Sequence, residues 1–200
     1  MRARLDRYLT GAIAGLVATL PMTVLMVIGK RQLSWKSQES LPPRQITRRV
    51  LQTVDLHSEL SQDQETVLTA VNHFSYGAGA GAVYGRLFPS RSLVGSVSSG
   101  IVYGLGVWTG SYFGWLPALE LYRSAAEDTA ERNRLMVAAH LVWGGSLGLV
   151  THLLSRKVAR PVTRPSTSLN DPSHASCALQ TYPIGSTRAF ESRAGEGLVP

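Results

Sequence analysis

The chain has 200 residues, of which 44% are hydrophobic, and its formal net charge is +7. Its mean hydropathy of +0.02 would suit a soluble domain, yet four long segments contain no Asp, Glu, Lys or Arg: residues 9–29, 66–85, 92–119 and 135–155. A soluble fold places charge along one face of each amphipathic element, so this segregation excludes an ordinary soluble domain and indicates segments that lie in a bilayer. Arginine beside such segments is typical of membrane proteins, and this argues against nucleic acid as a partner.

Each segment is long enough to cross the roughly 30 Å hydrocarbon core as a helix, and none alternates like a barrel strand. The sequence therefore predicts an all-α integral membrane protein with four transmembrane helices in a membrane domain of residues 9–155. A basic segment, residues 1–8, precedes the first span, which is too long for a signal peptide and lacks a small-residue cleavage site. Residues 156–200 are basic and then rich in Ser, Thr and Pro, which predicts a disordered polar tail.

Orientation is predicted from the basic residues that flank the spans. Lys and Arg are balanced between the two sides, but those on the side of both termini lie in short segments that are nearly free of acids. We therefore expect cytoplasmic termini.

The loop between the first two spans contains a predicted amphipathic helix at about residues 42–54. Its prolines suit a first helical turn, and apolar residues recur after them at helical spacing. Three arginines lie on or beside the opposite face: Arg44, Arg48 and Arg49. Two interpretations stay open, a helix on the membrane surface whose arginines bind lipid phosphates and an ordinary solvated loop helix.

The second and fourth spans share the pattern His-x-x-aromatic-Gly-x-x-x-Gly. It begins at His73 in one span and at His140 in the other, and continues through Gly77 and Gly144. This repeat predicts two helical hairpins, spans one-two and three-four, that point the same way and are related by a pseudo-two-fold axis along the membrane normal.

Small residues at every fourth position allow helix backbones to approach closely in lipid. The third span has two such stripes on different faces, so we expect it to pack on both sides. The stripes have two interpretations, packing within one bundle and homo-oligomerisation. The glycines predicted to mediate packing are Gly11, Gly15, Gly77, Gly81, Gly100, Gly104, Gly106, Gly110, Gly114, Gly144 and Gly148.

His73 and His140 are the candidate cofactor-binding residues, because two imidazoles at equivalent positions can hold a haem or a metal ion. The alternative is a pair of interfacial histidines bonded to backbone carbonyls. No carboxylate or thiolate joins them and Cys177 is the single cysteine, so neither a metal site nor a bound cofactor is predicted. Ser146 lies in a Gly-x-Ser-x-Gly string, but inside an apolar helix rather than a strand-to-helix turn, so we expect no enzyme.

The predicted spans lack Asp, Glu, Lys and Arg, which are the usual marks of an ion path. The candidate polar lining consists of Asn72, the histidines and the hydroxyls of Tyr76, Tyr84 and Tyr103. This lining suits a small channel or carrier for a neutral solute.

Leu41-Pro42-Pro43-Arg44 after the first span, a glycine-rich middle and His140-Leu141-Val142-Trp143 in the last span resemble the YagU-like group of small bacterial inner-membrane proteins. The resemblance implies a helical inner-membrane protein without an assigned activity. The leading hypothesis is therefore a non-enzymatic, structural or stress-associated component that contacts membrane lipids and can form homo-oligomers. The neutral-solute channel and the bis-histidine haem or metal protein are the alternatives.

Overall fold

The computed structural model describes residues 2–34, 37, 39–55, 60–89 and 92–158. Its regular elements are all helical, so the all-α prediction is confirmed for this part of the chain. Cys177 and almost all of the predicted polar tail lie outside the described residues.

Six helices and one π-helical turn follow one another along the described residues. They are α1 (Arg2–Gln32), α2 (Pro42–Thr53), α3 (Gln62–Leu87), α4 (Leu93–Gly110), the π turn (Ser111–Trp115), α5 (Leu116–Ala118) and α6 (Ala130–Val158). The charge-free segments predicted as spans lie within α1, α3 and α6 and along α4 to α5, and α2 occupies the stretch that was predicted as an amphipathic helix.

Three described helical stretches are long and apolar enough to cross a membrane: Leu5–Gln32, Leu93–Ala118 and Ala130–Arg156. The sequence predicted four. Helix α3 is of comparable length, but its run of glycines with Asn72 and His73 lowers its hydropathy. By length and composition, α1, α4 with its extension, and α6 could thus cross a membrane.

Helix α1 has large aliphatic side chains on its outer face and small ones on its inner face. The outer side chains include Ile13, Leu20 and Val24, each more than half exposed. Ala14 and Ala18 are completely buried on the other face. Water would penalise this arrangement, in which the bulkiest apolar groups point outward, whereas lipid would not.

Helices α1 and α3 pack against each other through glycine. A Cβ added at Gly15 would overlap the carbonyl oxygen of Gly77 and lie 2.8 Å from the Cα of Gly81. A Cβ added at Gly11 would overlap the carbonyl oxygen of Gly81. The residue numbers run in opposite directions along the contact, so the two helices are antiparallel.

Helices α4 and α6 pack in the same manner. A Cβ at Gly100 would overlap the carbonyl oxygen of Gly144, and a Cβ at Gly148 would overlap that of Ser96. A Cβ at Gly104 would lie 2.5 Å from the carbonyl oxygen of His140. Contacts between α1 and α6 join the two pairs, whereas α3 and α4 touch at few points.

The second glycine stripe of the third predicted span has no partner within the described chain. A Cβ added at Gly106, Gly110 or Gly114 would meet nothing within 4 Å. Helix α6 therefore packs on α4 through the other stripe, Ser96, Gly100 and Gly104. A packing role for the second stripe stays a prediction.

The predicted third span is not one uninterrupted α-helix. Regular α4 ends at Gly110, and the π turn has a non-helical backbone at Gly114, with φ −109° and ψ −109°. Pro117 then lies in the first turn of α5, where its missing amide proton is tolerated.

Tyrosine hydroxyls connect α3 to α4 at the end where α3 finishes and α4 begins. Tyr84 donates to the carbonyl oxygen of Ser96 over 2.8 Å, and Tyr103 donates to that of Ala80 over 2.8 Å. Towards the other end the hydroxyls of Tyr76 and Ser111 lie 3.0 Å apart.

We expect Gly81→Ala to destabilise the bundle, because its Cβ would overlap the Gly11 carbonyl and force α1 away from α3. Overpacking of this kind lowers the free energy of unfolding by roughly 1–3 kcal/mol. The measurement is thermal unfolding in detergent. The matched control is Gly79→Ala on the same helix, where an added Cβ meets nothing within 4 Å. The control should leave stability unchanged or raise it, and equal losses in both variants would contradict the packing role.

Candidate functional site: a cavity inside the helical bundle

The bundle encloses a cavity of about 350 Å³ near the end that carries α2. Its walls come from α1, α2, α3, the α4–π–α5 stretch and α6. Among the described residues that line it, none is Asp, Glu, Lys or Arg. Most of the lining is apolar or aromatic, including Met22, Met26, Ile46, Leu116 and Trp143, which is the usual composition of a small-molecule site.

Both candidate cofactor histidines line this one cavity. His140 is only 7% exposed, and its Nδ1 lies 2.8 Å from the carbonyl oxygen of Met136. His73 reaches the cavity from α3, and its Nε2 is buried with no hydrogen-bond partner in the structure. The structure thus brings together two residues that are 67 positions apart in the sequence repeat.

The polar side chains that share the cavity come from three helices and the π turn. Asn72 donates to the hydroxyl of Thr47 over 3.4 Å, and the hydroxyls of Tyr76 and Ser111 are paired. Tyr84 and Tyr103, which the sequence placed in the same polar set, are not cavity residues and instead bond α3 to α4.

Helix α2 covers one side of the cavity. It contributes both of its prolines and the side chains of Ile46, Thr47 and Val50. Part of its apolar face is therefore turned onto the bundle, whereas the sequence left open whether α2 lies on the membrane surface or is an ordinary solvated loop helix.

A shared carboxylate fastens α2 to the start of α3. Arg44 Nε and Arg48 Nε lie 2.9 Å and 2.6 Å from the same Oε1 atom of Glu65. The hydrogen bond from Arg48, aided by Arg44, holds the pKa of Glu65 below its ordinary value of 4.5, although burial opposes the shift. Arg49 donates to the carbonyl oxygen of Glu120. Two of the three predicted lipid-binding arginines thus have a protein carboxylate as partner, and their binding to lipid stays a prediction.

A second ionic cluster holds the loop before α2. The guanidinium of Arg132 is buried and donates to the carbonyl oxygens of Ser37, Glu39 and Ser40 at 3.2–3.3 Å. It also donates to the hydroxyl of Tyr122 over 2.9 Å. Burial raises the pKa of Tyr122 to about 12, so this hydroxyl stays protonated. The cluster fixes the chain that leads into α2 and thereby positions the cavity cover.

Two aromatic side chains, from α3 and the π turn, line the cavity and are also exposed on the outside of the bundle. Tyr76 is 46% exposed and Trp115 is 40% exposed. Their ring centroids are 5.9 Å apart. Val50 of α2 is 40% exposed and lines the cavity as well, so exposed lining residues belong both to predicted spans and to α2.

The donor set does not match a metal site built from the usual ligands. Within the described ranges there is no group of three or more His, Cys, Asp or Glu side chains that could hold a metal ion. Ser146 lies within the continuous helix α6, without the strand-to-helix turn of a nucleophile elbow.

Sequence reasoning found the histidines but missed several cavity residues. Met22, Met26, Ser111 and Trp115 line the site without belonging to a recognisable motif. The break in the helix at Gly114 could not be predicted either. Gly106, Gly110 and Gly114 recur at every fourth position, which is the spacing of a packing stripe.

The chain has no match among protein families, curated proteins or solved structures.

We expect acid to loosen α2. Since the pKa of Glu65 is lowered in the folded chain, its stabilisation is fully present above the unfolded-state pKa and is lost as the pH falls through the folded value, below 4.5. Hydrogen exchange of the α2 amides should therefore accelerate in that range, while α1 and α6 stay protected. Glu65→Gln should give faster α2 exchange already at pH 7, on the order of tenfold for a lost charged hydrogen bond.

The control for this experiment is Asp63→Asn, in the same first turn of α3 but without an arginine partner in the structure. It should exchange like the unaltered protein. If the exchange of α2 at pH 7 does not respond to Glu65→Gln, the carboxylate does not hold the cover.

Proposed function

We propose that the chain is a multi-pass protein of the bacterial inner membrane whose four long helices all cross the bilayer and whose cavity binds a small neutral molecule. The observation that carries this proposal is the cavity itself, whose lining, among the described residues, is mainly apolar and contains no charged side chain. Pockets of this size and composition, with a few convergent polar groups, are typical of small-molecule sites.

The fourth span in this proposal is α3. Its polar residue His73 faces the cavity, while Val67, Val71 and Val83 are exposed on its outer side. It is paired along its glycines with α1, whose length and composition are those of a membrane span. The antiparallel pairs α1–α3 and α4–α6 support the like-oriented hairpins and the pseudo-two-fold axis that the repeat predicts.

We propose a binding role without catalysis, with cytoplasmic termini. The resemblance to the YagU-like group supports an inner-membrane location, and a structural or stress-associated role remains the physiological hypothesis. Homo-oligomerisation is favoured by the exposed stripe of Gly106, Gly110 and Gly114, which presents a flat surface to a second copy.

The experiment that tests the proposal uses quenching of tryptophan fluorescence by 4-bromoanisole, a neutral lipid-soluble probe, with the protein in nanodiscs. Because Trp115 and Trp143 line the cavity, occupancy by the bromine compound should quench them in a saturable manner. Val107→Phe should abolish the saturable component, since this side chain lines the cavity and phenylalanine would fill part of it.

The matched control is Val102→Phe on the same helix, where the valine is exposed and does not line the cavity. It should leave the saturation curve unchanged. Quenching that rises linearly in all three proteins would show partitioning into lipid alone and would contradict a binding cavity.

A second candidate function, haem binding by two histidines, is favoured by the position of His73 and His140 in one cavity. The bond from His140 Nδ1 to a backbone carbonyl resembles the outer-shell partner that orients a metal-bound imidazole. If this function is correct, the protein purified from its membrane should show a Soret band. The double variant His73→Ala, His140→Ala should lack it, and a colourless unaltered protein would argue against haem.

A further inference from the structure

We propose that the ligand of the cavity is a lipid-soluble molecule with a hydroxyl group that donates a hydrogen bond to Nε2 of His140. This inference rests on the proposed binding function and specifies the chemical class of the ligand. It depends on the geometry of His140 and on the lining of the cavity.

The proton on His140 is placed by its backbone partner. The carbonyl oxygen of Met136 is an acceptor only, so the Nδ1 atom 2.8 Å away carries the hydrogen. The imidazole is buried, and none of the described residues that line the cavity carries a carboxylate to stabilise a charged ring. The ring is therefore neutral, and its Nε2 presents a lone pair.

Within the described part of the chain, no hydrogen bond to that lone pair is found. Asn72 is bonded to Thr47 and Tyr76 to Ser111, whereas Nε2 of His73 in the same cavity is buried without a partner. A polar atom without a partner inside a protein lowers stability unless a ligand or water supplies one. A hydroxyl group in the cavity would satisfy it.

The rest of the ligand is defined by the apolar lining. Aromatic and thioether side chains make up much of the wall, including Met22, Met26 and Trp143. The lining residues of α1, α3 and α6 all belong to stretches that the sequence predicted as membrane spans. We therefore expect a molecule that dissolves in the bilayer, with an aromatic or aliphatic body that carries the hydroxyl.

The test compares 4-bromophenol with 4-bromoanisole, which differ in the replacement of the hydroxyl hydrogen by a methyl group. Both quench tryptophan, and both are titrated into the protein in nanodiscs at neutral pH, with concentrations corrected for partitioning into empty nanodiscs. We expect 4-bromophenol to bind about tenfold more tightly, because one hydrogen bond in a site with little water strengthens binding by about that factor.

His140→Leu should remove this preference and leave the affinity for 4-bromoanisole nearly unchanged. The matched control is His152→Leu, a buried histidine of the same helix that does not line the cavity, and it should keep the preference. If His140→Leu fails to fold, equal binding of the two probes by the unaltered protein would still overturn the inference. His73→Leu, which removes the other imidazole of the cavity, should keep the preference, and its loss there would assign the hydrogen bond to His73 instead.

Equal, saturable binding of both probes would overturn the hydroxyl inference and leave the binding function standing. Linear quenching by both probes would overturn the two together. A Soret band from the purified protein that disappears with His140→Ala would assign Nε2 to iron and would also overturn the hydroxyl inference.

Discussion

Close backbone contact at glycine is the constraint on which the bundle depends. In each of the two tight helix pairs, a glycine of one helix lies so close to a carbonyl oxygen of the other that a Cβ would not fit. Gly15 meets the carbonyl of Gly77 in this way in one pair, and Gly100 meets that of Gly144 in the other. In a bilayer no hydrophobic effect drives helices together, so van der Waals contact between such flat surfaces takes its place. The large aliphatic side chains are consequently free to cover the outside, where they are found on α1.

The cavity lies where this glycine packing gives way to larger side chains. Gly77 and Gly144 belong to the contact, and one helical turn before them the side chains of His73 and His140 line the cavity. On α1, Met22 lines the cavity one turn after Thr19, which lies close to Gly77. Where glycine is replaced by longer side chains along these helices, the backbones no longer touch and the cavity begins. The repeated spacing therefore places one histidine at the cavity and one glycine in the helix contact in each helix pair.

The cover of this space is held by interactions of another kind. Helix α2 contributes apolar residues to the cavity wall, but its attachment to α3 depends on the carboxylate of Glu65 between two arginines. The arginine side chains are more than one-third exposed, so salt and water weaken this attachment in a way that they do not weaken the glycine contacts. The attachment of α2 is therefore more sensitive to salt and acid than the glycine contacts are. We expect salt or acid that loosens α2 to leave the packed helices intact.

The sequence predicted the helices well because the absence of charge over about twenty residues is a local property that any one segment shows by itself. It also drew attention to His73 and His140, since a repeated spacing can be recognised without knowing the fold. It could not predict that Met22 and Trp115 share a cavity with them, because that depends on how distant helices lie beside one another. Nor could an amphipathic pattern name Glu65 as the partner of Arg44, because such a pattern specifies a charged face and leaves its partner open.

The bond that His140 makes differs from the side-chain hydrogen bonds that join the helices of the bundle. Trp143 on the same helix donates its Nε1 hydrogen to the carbonyl oxygen of Gly15, and Tyr84 and Tyr103 donate to carbonyl oxygens across the α3–α4 contact. Each of these side chains uses its hydrogen to join two helices. His140 instead uses its Nδ1 hydrogen within its own helix, which adds nothing to the joining of helices but fixes the ring with Nε2 as an acceptor. A buried histidine that is oriented in this way and lines an uncharged cavity has the geometry of a recognition group, since a donor brought by a ligand completes its hydrogen bonding.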